Sequence, residues 1–226
     1  MAAARAHLTD GTEGPGGEET PLPFRRAVAA LTGFRPRPEV RLAPLPAPRR
    51  LAPFAYALEA SVEADGEELA DGRFVLLHDP AGQEAWRGVF RVVTLARAEL
   101  EPEMATDPLL PEVTWSWLTG ALRARSVAYA EVGGTVTRAG SVSFGTLEER
   151  AASAEIEVRA SWTPLEGAGD AAPGAAGANA SAAANTVAGH LGAWCDLLSQ
   201  CAGLPPESGE GAAVVPLPQR RGPQPL

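Results

Sequence analysis

A strand, an acidic proline-containing turn and a helix with two tryptophans follow one another within residues 88–125. Residues 88–101 alternate apolar and charged side chains, which is the pattern of a strand with one buried face. From residue 109 the apolar side chains recur every three or four positions, as on one face of a helix. A strand and a helix that each have one apolar face must bury those faces against other elements. The segment therefore predicts a layered domain.

The same two periods place the remaining elements. Period two predicts strands at 54–62, 73–78, 127–144 and 153–162, with turns near 65–66 and 71–72 and the last two strands forming a hairpin. The proline-rich region leaves room for only a short edge strand at 40–42. Helical spacing predicts helices at 22–31 and 185–202.

The order of these elements, α-β-β-β(-β)-α-β-β-α, predicts a fold of the α+β class. We expect an antiparallel sheet of five to six strands with three helices packed on one face. This arrangement resembles the secretion-chaperone-like fold, an α/β module that forms dimers.

Composition separates one domain from segments that lack a spaced apolar set. We expect disordered tails at 1–20 and 204–226 and a disordered Ala/Gly linker at 166–184. The rest of 21–203 forms one α+β domain, which is large enough for a single buried core. The last tail combines prolines with two arginines at 214–223, so it is either a docking motif of the polyproline type or a solvated end.

Charge and cysteine content restrict the classes of partner. The formal net charge is -9 at pH 7, whereas nucleic-acid binding depends on clustered cations. We therefore expect no direct binding of nucleic acid. Cys195 and Cys201 point to different faces of the predicted helix and cannot bridge there, which favours reduced thiols and a cytoplasmic location. No apolar run approaches the roughly 20 residues that span a bilayer, so we expect no membrane partner.

Three motifs invite a chemical interpretation that their spacing does not favour. His78 and Asp79 are adjacent on a strand and point to opposite faces, so a polar pair at a strand end is favoured over a catalytic dyad. His190 and Cys195 lie about 140° apart around a helix, so Cys195 is favoured as a core residue over a nucleophile. Gly133-Gly134 indicates a bulge or bend inside a strand, and not a phosphate-binding loop.

A patch of carboxylates is the best candidate for a polar site. Glu99 and Glu101 share one face of the predicted strand, and Arg159 is predicted on the polar face of a neighbouring one. Carboxylates can serve a metal ion or acid-base chemistry. No further ligand type stands nearby at a suitable spacing, so a solvated, charge-balanced face is the favoured alternative. We expect no metal and no cofactor.

Trp115 is the candidate for a protein interface. At 100° per residue it lies about 160° from Trp117 around the helix, so the two cannot share one narrow stripe. An exposed aromatic side chain is a common interface anchor, and burial beneath residues 43–53 is the alternative. The predicted apolar stripe of this helix consists of Leu110, Val113, Trp117, Leu118, Ala121 and Leu122.

Several fragments, in this order, carry a resemblance to a known family. They are RLAPFAYALE (50–59), LLHDPAG (76–82), RAELEPEM (97–104), DPLLPE (107–112), WSWLTGAL (115–122), RASWTP (159–164) and LPQRRG (217–222). Through them the chain resembles the actinobacterial domain-of-unknown-function family numbered three thousand over nearly its whole length. That family carries no assigned activity, so the resemblance implies no function.

Two functional hypotheses follow. The first is a non-enzymatic cytoplasmic protein that acts through protein contacts, as a homodimer or with a protein partner, using the Trp115 helix face or a sheet edge. The alternative is a small-molecule-binding protein or hydrolase whose polar site on the open sheet face contains Glu99, Glu101 and Arg159.

Overall fold

The computed structural model describes residues 20–165 and 179–205. Its helices are α1 (Leu22–Gly33), α2 (Pro102–Ala105), α3 (Leu110–Ala124) and α4 (Asn179–Cys201). Its strands are β1 (Val40–Leu45), β2 (Phe54–Ala64), β3 (Glu67–Gln83), β4 (Gly88–Leu100), β5 (Tyr129–Ser141) and β6 (Ser153–Pro164).

All six strands belong to one antiparallel sheet in the order β1-β2-β3-β4-β6-β5. The α+β class and the order of elements are confirmed, with α2 as one additional short turn before α3. β1 and β5 form the two edges of the sheet. The helices α1, α3 and α4 cover one face, which we call the inner face, and the other face carries no helix among the described residues.

The turn between β2 and β3 follows from local sequence. Asp65 and Gly66 both have positive φ, 54° and 85°, and join strands that pair from Ala64 to Glu67. A two-residue Asp-Gly loop with both φ values positive suits the twist of a hairpin. The second predicted turn, near 71–72, is wrong. Gly72 lies inside β3, where its missing side chain serves packing instead of a turn.

Helix α4 crosses the inner face of the central strands and is held there by Trp194. A Cβ atom at Gly72 would lie 2.7 Å from the Trp194 ring and 3.2 Å from Leu198. The indole Nε1 of Trp194 donates a hydrogen bond to the carbonyl oxygen of Leu95 at 3.3 Å, and its ring packs on Phe74. The contact therefore satisfies the polar atom of a fully buried tryptophan.

Helix α3 is rotated slightly from the prediction. Its buried residues are Leu110, Thr114, Leu118, Ala121 and Leu122, while Val113 is exposed. Because α3 lies toward the β5 edge, its buried side faces both α4 and β5. Thr114 can occupy a core position because its hydroxyl donates to the carbonyl oxygen of Leu110 at 2.7 Å.

The last helix begins earlier than the residue 185 predicted for it. Helix α4 already begins at Asn179, and the alanine-rich composition of this region suits a helix, since alanine has the highest helix propensity. The predicted disorder at 1–19, 166–178 and 206–226 and the proposed docking motif at 214–223 lie outside the described residues. No helix in the described ranges is long and apolar enough to cross a membrane.

Substitution of Gly72 by alanine tests the approach of α4 to the sheet. We expect the free energy of unfolding, measured by urea denaturation, to fall by about 1–3 kcal/mol, because the added methyl group would overlap the carbonyl oxygen of Leu95 and overpack the contact with Trp194. Gly120→Ala on α3 is the control, since a Cβ there meets no atom within 4 Å. That variant should be unchanged or up to about 1 kcal/mol more stable. Equal free energies of unfolding for Gly72→Ala and Gly120→Ala would show that Gly72 is not needed for the approach of α4 to the sheet.

Candidate functional site

His78 is part of an aromatic cluster and not of a catalytic pair. It is buried on the inner face, stacked on Phe24 and Phe90 with ring centroids 5.8 and 4.3 Å away. Its Nδ1 lies 3.0 Å from the carbonyl oxygen of Val89 and must be the donor there, because a carbonyl only accepts. Burial lowers the pKa of His78. The Asp79 carboxylate instead accepts hydrogen bonds within its own turn.

His190 is fully buried between α4 and β6. The indole Nε1 of Trp162 donates to His190 Nδ1 at 3.1 Å. An indole N–H only donates, so Nδ1 is unprotonated and the neutral ring carries its proton on Nε2. Burial lowers the pKa of His190 to about 4, and the backbone of Ala128 opposes this only partly.

Cys195, one turn further along α4, has the properties of a core residue. Burial, together with the charge of Asp196, raises the pKa of its thiol to about 12. The attacking form of cysteine is the thiolate, which is scarce at neutral pH in a thiol of this kind. Cys195 and Cys201 are both free and buried. The arrangement thus agrees with the core interpretation of the His190 and Cys195 pair.

The carboxylates predicted for a polar site do not converge with Arg159. Glu99 lies opposite Glu155, whereas Arg159 lies opposite Leu95. Four residues of strand separate the two positions, which is about 13 Å. The Nε of Arg159 pairs with Glu157 at 2.8 Å, and Glu101 is exposed just beyond the end of β4. Within 20–165 and 179–205, no three His, Cys, Asp or Glu side chains are grouped as metal ligands. As binding residues, Glu99, Glu101 and Arg159 stay a prediction.

Trp115 is partly buried and packs over β5. A Cβ atom at Gly134 would lie 2.8 Å from its ring, so the glycine makes room for the indole. Burial beneath residues 43–53 is wrong, because that segment begins in β1 at the opposite edge of the sheet. The bulge expected from Gly133-Gly134 is confirmed by a register shift between Ala130 and Gly133. The role of Trp115 as an interface anchor stays a prediction.

Exposed apolar side chains concentrate around the same edge. Six of the ten large apolar residues that are exposed in the described chain belong to α2, α3 and the β5–β6 hairpin: Met104, Leu109, Val113, Val142, Phe144 and Leu147. Arg138 on β5 joins these elements, because its Nη1 donates to the carbonyl oxygens of Ala105 and Asp107 at 3.1 and 2.6 Å. We call β5 together with these six side chains the β5 edge surface.

Sequence reasoning missed most of the β5 edge surface. It placed Val113 in the core and Phe144 inside a strand arm, whereas the exposed fractions of these residues are 41% and 79%. Runs such as Val-Ser-Phe at 142–144 are compatible with both a strand and a loop. The signal that could have identified the hairpin end is the following Gly145, whose φ is positive.

The uncovered outer face of the sheet contains a shallow groove of about 470 Å³. Its floor consists of Val75, Val93 and Leu95, and Arg73 and Arg159 lie on either side of Leu95 in one cross-strand row. Gly133, Thr135 and Ser161 continue the groove toward β5. We call this site the sheet-face groove. Period two predicts that its residues point outward, but only the strand register brings them together.

The groove carries none of the groups that would favour hydrolysis. Neither described histidine lines it, since His78 and His190 lie on the inner side of the sheet. The Ser161 hydroxyl accepts a hydrogen bond from Arg91 Nη2 at 2.7 Å, and a guanidinium cannot act as a general base. The geometry suits binding.

The depressed pKa of His190 predicts a specific loss of stability in acid. The unfolded chain takes up this proton near pH 6.5 and the folded protein only near 4. This contribution is therefore complete above about pH 6.5 and is lost as the pH falls toward 4. Between about pH 7 and 4, the wild type should lose about 3 kcal/mol more free energy of unfolding than His190→Gln. If the free energies of unfolding of the wild type and of His190→Gln fell equally with pH, the prediction would be wrong.

Comparison with known proteins gives a family and no activity. The chain matches the model described as Protein of unknown function (DUF3000) over residues 20–211. No curated protein and no solved structure matches it, so the resemblance to the secretion-chaperone-like fold stays a prediction. The match covers most of the chain and includes both the β5 edge surface and the sheet-face groove. The protein belongs to the DUF3000 family.

Proposed function

We propose that the protein acts by binding another protein chain at the β5 edge surface, and that this chain is a second copy of itself. The observation that carries the proposal is the long edge strand β5. It spans 13 residues, and it pairs only with β6 among the described strands. Such an edge presents backbone donors and acceptors to any added strand.

The two edges of the sheet differ in a way that supports this choice. β1 has only 6 residues, contains Pro44 and carries an ion pair between Arg41 and Glu63. Proline, charge and short length are the features that keep edge strands from pairing. β5 contains no proline. Its bulge and the ion pair between Glu131 and Arg87 lie near its start, so the remaining stretch from Gly133 to Ser141 is available for the addition of a strand.

The exposed apolar side chains add area beside the backbone edge. Leu109, at the N-cap of α3, and Val113, one turn further along, are both exposed. Val142, Phe144 and Leu147 extend the apolar area at the end of the β5–β6 hairpin. Single exposed apolar residues are ordinary, but a concentration of them is typical of an interaction site. Antiparallel pairing of β5 with its own copy about a twofold axis would use the same surface on both subunits.

Binding, rather than catalysis, is supported by the state of the titratable side chains. Burial lowers the pKa of both described histidines and raises the pKa of both cysteines. These four side chains are buried in the core. The described histidines and cysteines are thus withdrawn from the surface as acid-base or nucleophilic groups.

Light scattering during size-exclusion chromatography tests the homodimer. We expect the wild type to elute with the mass of a dimer, and the double variant Leu109→Glu, Val113→Glu to elute as a monomer, because two carboxylates would have to be desolvated in the interface. Leu51→Glu is the matched control. Leu51 is exposed to a similar extent as Leu109, 52% against 58%, but lies in the connection from β1 to β2. The Leu51→Glu variant should remain dimeric.

A wild type that stays monomeric at all concentrations would overturn the homodimer. Hydrogen exchange at high and low protein concentration locates the contact independently. The amides of β5 should exchange more slowly in the concentrated sample and those of β1 at an unchanged rate, because only the β5 edge gains hydrogen bonds. Equal behaviour of the two edges would show that pairing does not involve β5.

A further inference from the structure

We propose that the sheet-face groove is a second binding site, on the outer face of the sheet beside the β5 edge surface, for a small organic carboxylate with an apolar body. The proposal goes beyond the protein contact suggested above and does not depend on it. It rests on the floor of the groove, on the charges around it and on its dimensions.

The floor is unusual for an exposed sheet face. A face of an antiparallel sheet that is open to water normally carries polar side chains. The neighbouring row of this face does so, with Asp71, Arg97 and Glu157 side by side across the strands. In contrast, the adjacent strands β3 and β4 point Val75, Val93 and Leu95 outward. This apolar floor lies near the middle of the sheet and can hold an apolar body of matching size.

Gly133 keeps the β5 end of the groove open. It lies opposite Ser161 in the register, and a Cβ atom there would meet nothing within 4 Å. Gly134, beside it, serves the other face, since its missing side chain accommodates Trp115. The two glycines therefore have different roles: Gly133 leaves space on the outer face for the groove, and Gly134 leaves space on the inner face for Trp115.

The two charged side chains that line the groove are arginines, Arg73 and Arg159. No carboxylate lines the groove in the described chain. Arg73 forms no ion pair there, although Glu59 lies opposite it in the register. Elsewhere on the same face Arg97 pairs with Asp71 at 2.7 Å and Arg41 with Glu63 at 3.1 Å. The guanidinium of Arg73 is thus a cation at the end of an apolar floor with donors free for an added carboxylate.

A second arginine, Arg91 on β4, adds positive charge beside the groove. Arg91 lies beyond Val93 and donates to Ser161, to Thr163 and to the carbonyl oxygen of Glu131. These acceptors are neutral, while the nearby Glu131 carboxylate, which pairs with Arg87, offsets part of the charge of Arg91. Arg159 on β6 uses its Nε for Glu157 and has further N–H groups. Guanidinium groups bind carboxylates through paired hydrogen bonds.

The dimensions match a small molecule. The groove crosses four neighbouring strands from β3 to β5, a distance of about 15 Å at the usual strand spacing. Its volume of about 470 Å³ lies within the range of about 300–1,000 Å³ that small-molecule sites occupy. A ligand with its carboxylate at Arg73 and its apolar body over Val93 and Leu95 would point its far end toward Gly133.

Titration with decanoate and naphthoate, followed by calorimetry below the micelle concentration, tests the site. We expect saturable binding of at least one acid and binding of the uncharged decanol at least about tenfold weaker, because the alcohol gains no charge-assisted hydrogen bond. Arg73→Gln should weaken acid binding by about tenfold or more. Arg41→Gln is the matched control, since Arg41 is an arginine on the same sheet that lies outside the groove. It should bind as the wild type does.

Gly133→Leu tests the location of the apolar body. A Cβ atom at Gly133 meets nothing within 4 Å, so the leucine side chain is expected to project into the groove. Binding should be lost while the unfolding transition stays near that of the wild type. Absence of saturable binding of both acids, equal binding of decanol, or unchanged binding by Arg73→Gln would each overturn the proposal. Leu109→Glu, Val113→Glu should bind the acids normally, which separates this site from the β5 edge surface.

Discussion

Helix α4 lies against the middle of the sheet because one strand position carries no side chain. At Gly72 the Trp194 ring occupies the space that a Cβ atom would need, and its indole N–H is satisfied by the Leu95 carbonyl. A second tryptophan, Trp162, connects β6 to α4 through His190. Both α1 and α3 pack against α4. The position of α4 therefore determines how all three long helices cover the inner face.

Coverage of one face leaves two kinds of surface free. The described histidines and cysteines, and three of the tryptophans, pack on the inner face of the sheet. The β5 edge and the outer face of the sheet stay accessible. Each has a feature that a merely solvated surface does not require. The edge is long and flanked by apolar side chains, and the outer face has an apolar floor beside arginines.

The two glycines of β5 show how closely these surfaces are related to the core. Gly134 has no room for a side chain because Trp115 packs on it, whereas the space beyond Gly133 is empty. The bulge that precedes them shifts the register of β5 on β6, and it exposes the carbonyl oxygen of Glu131 to Arg91. A local irregularity thus connects the inner packing, the edge strand and the groove.

The sequence alone determined which stretches are strands and helices, the order of these elements and the one-sided core. Each of these depends on side chains a few positions apart, and the periods of strands and helices are visible at that range. The same logic identified Gly133-Gly134 as an irregularity and Cys195 as a core residue. It failed where local patterns were ambiguous, as at Gly72 and Val113.

Tertiary structure alone decided which edge is open, that Trp115 packs on Gly134, and that Arg73, Leu95 and Arg159 form one row. It also separated Glu99 from Arg159 along the sheet. These relations join neighbouring residues that are 19 to 64 positions apart in the sequence, and a shift of register by one residue would send each side chain to the other face. The period of a strand gives the face of a residue, but only pairing with a distant strand gives its neighbours.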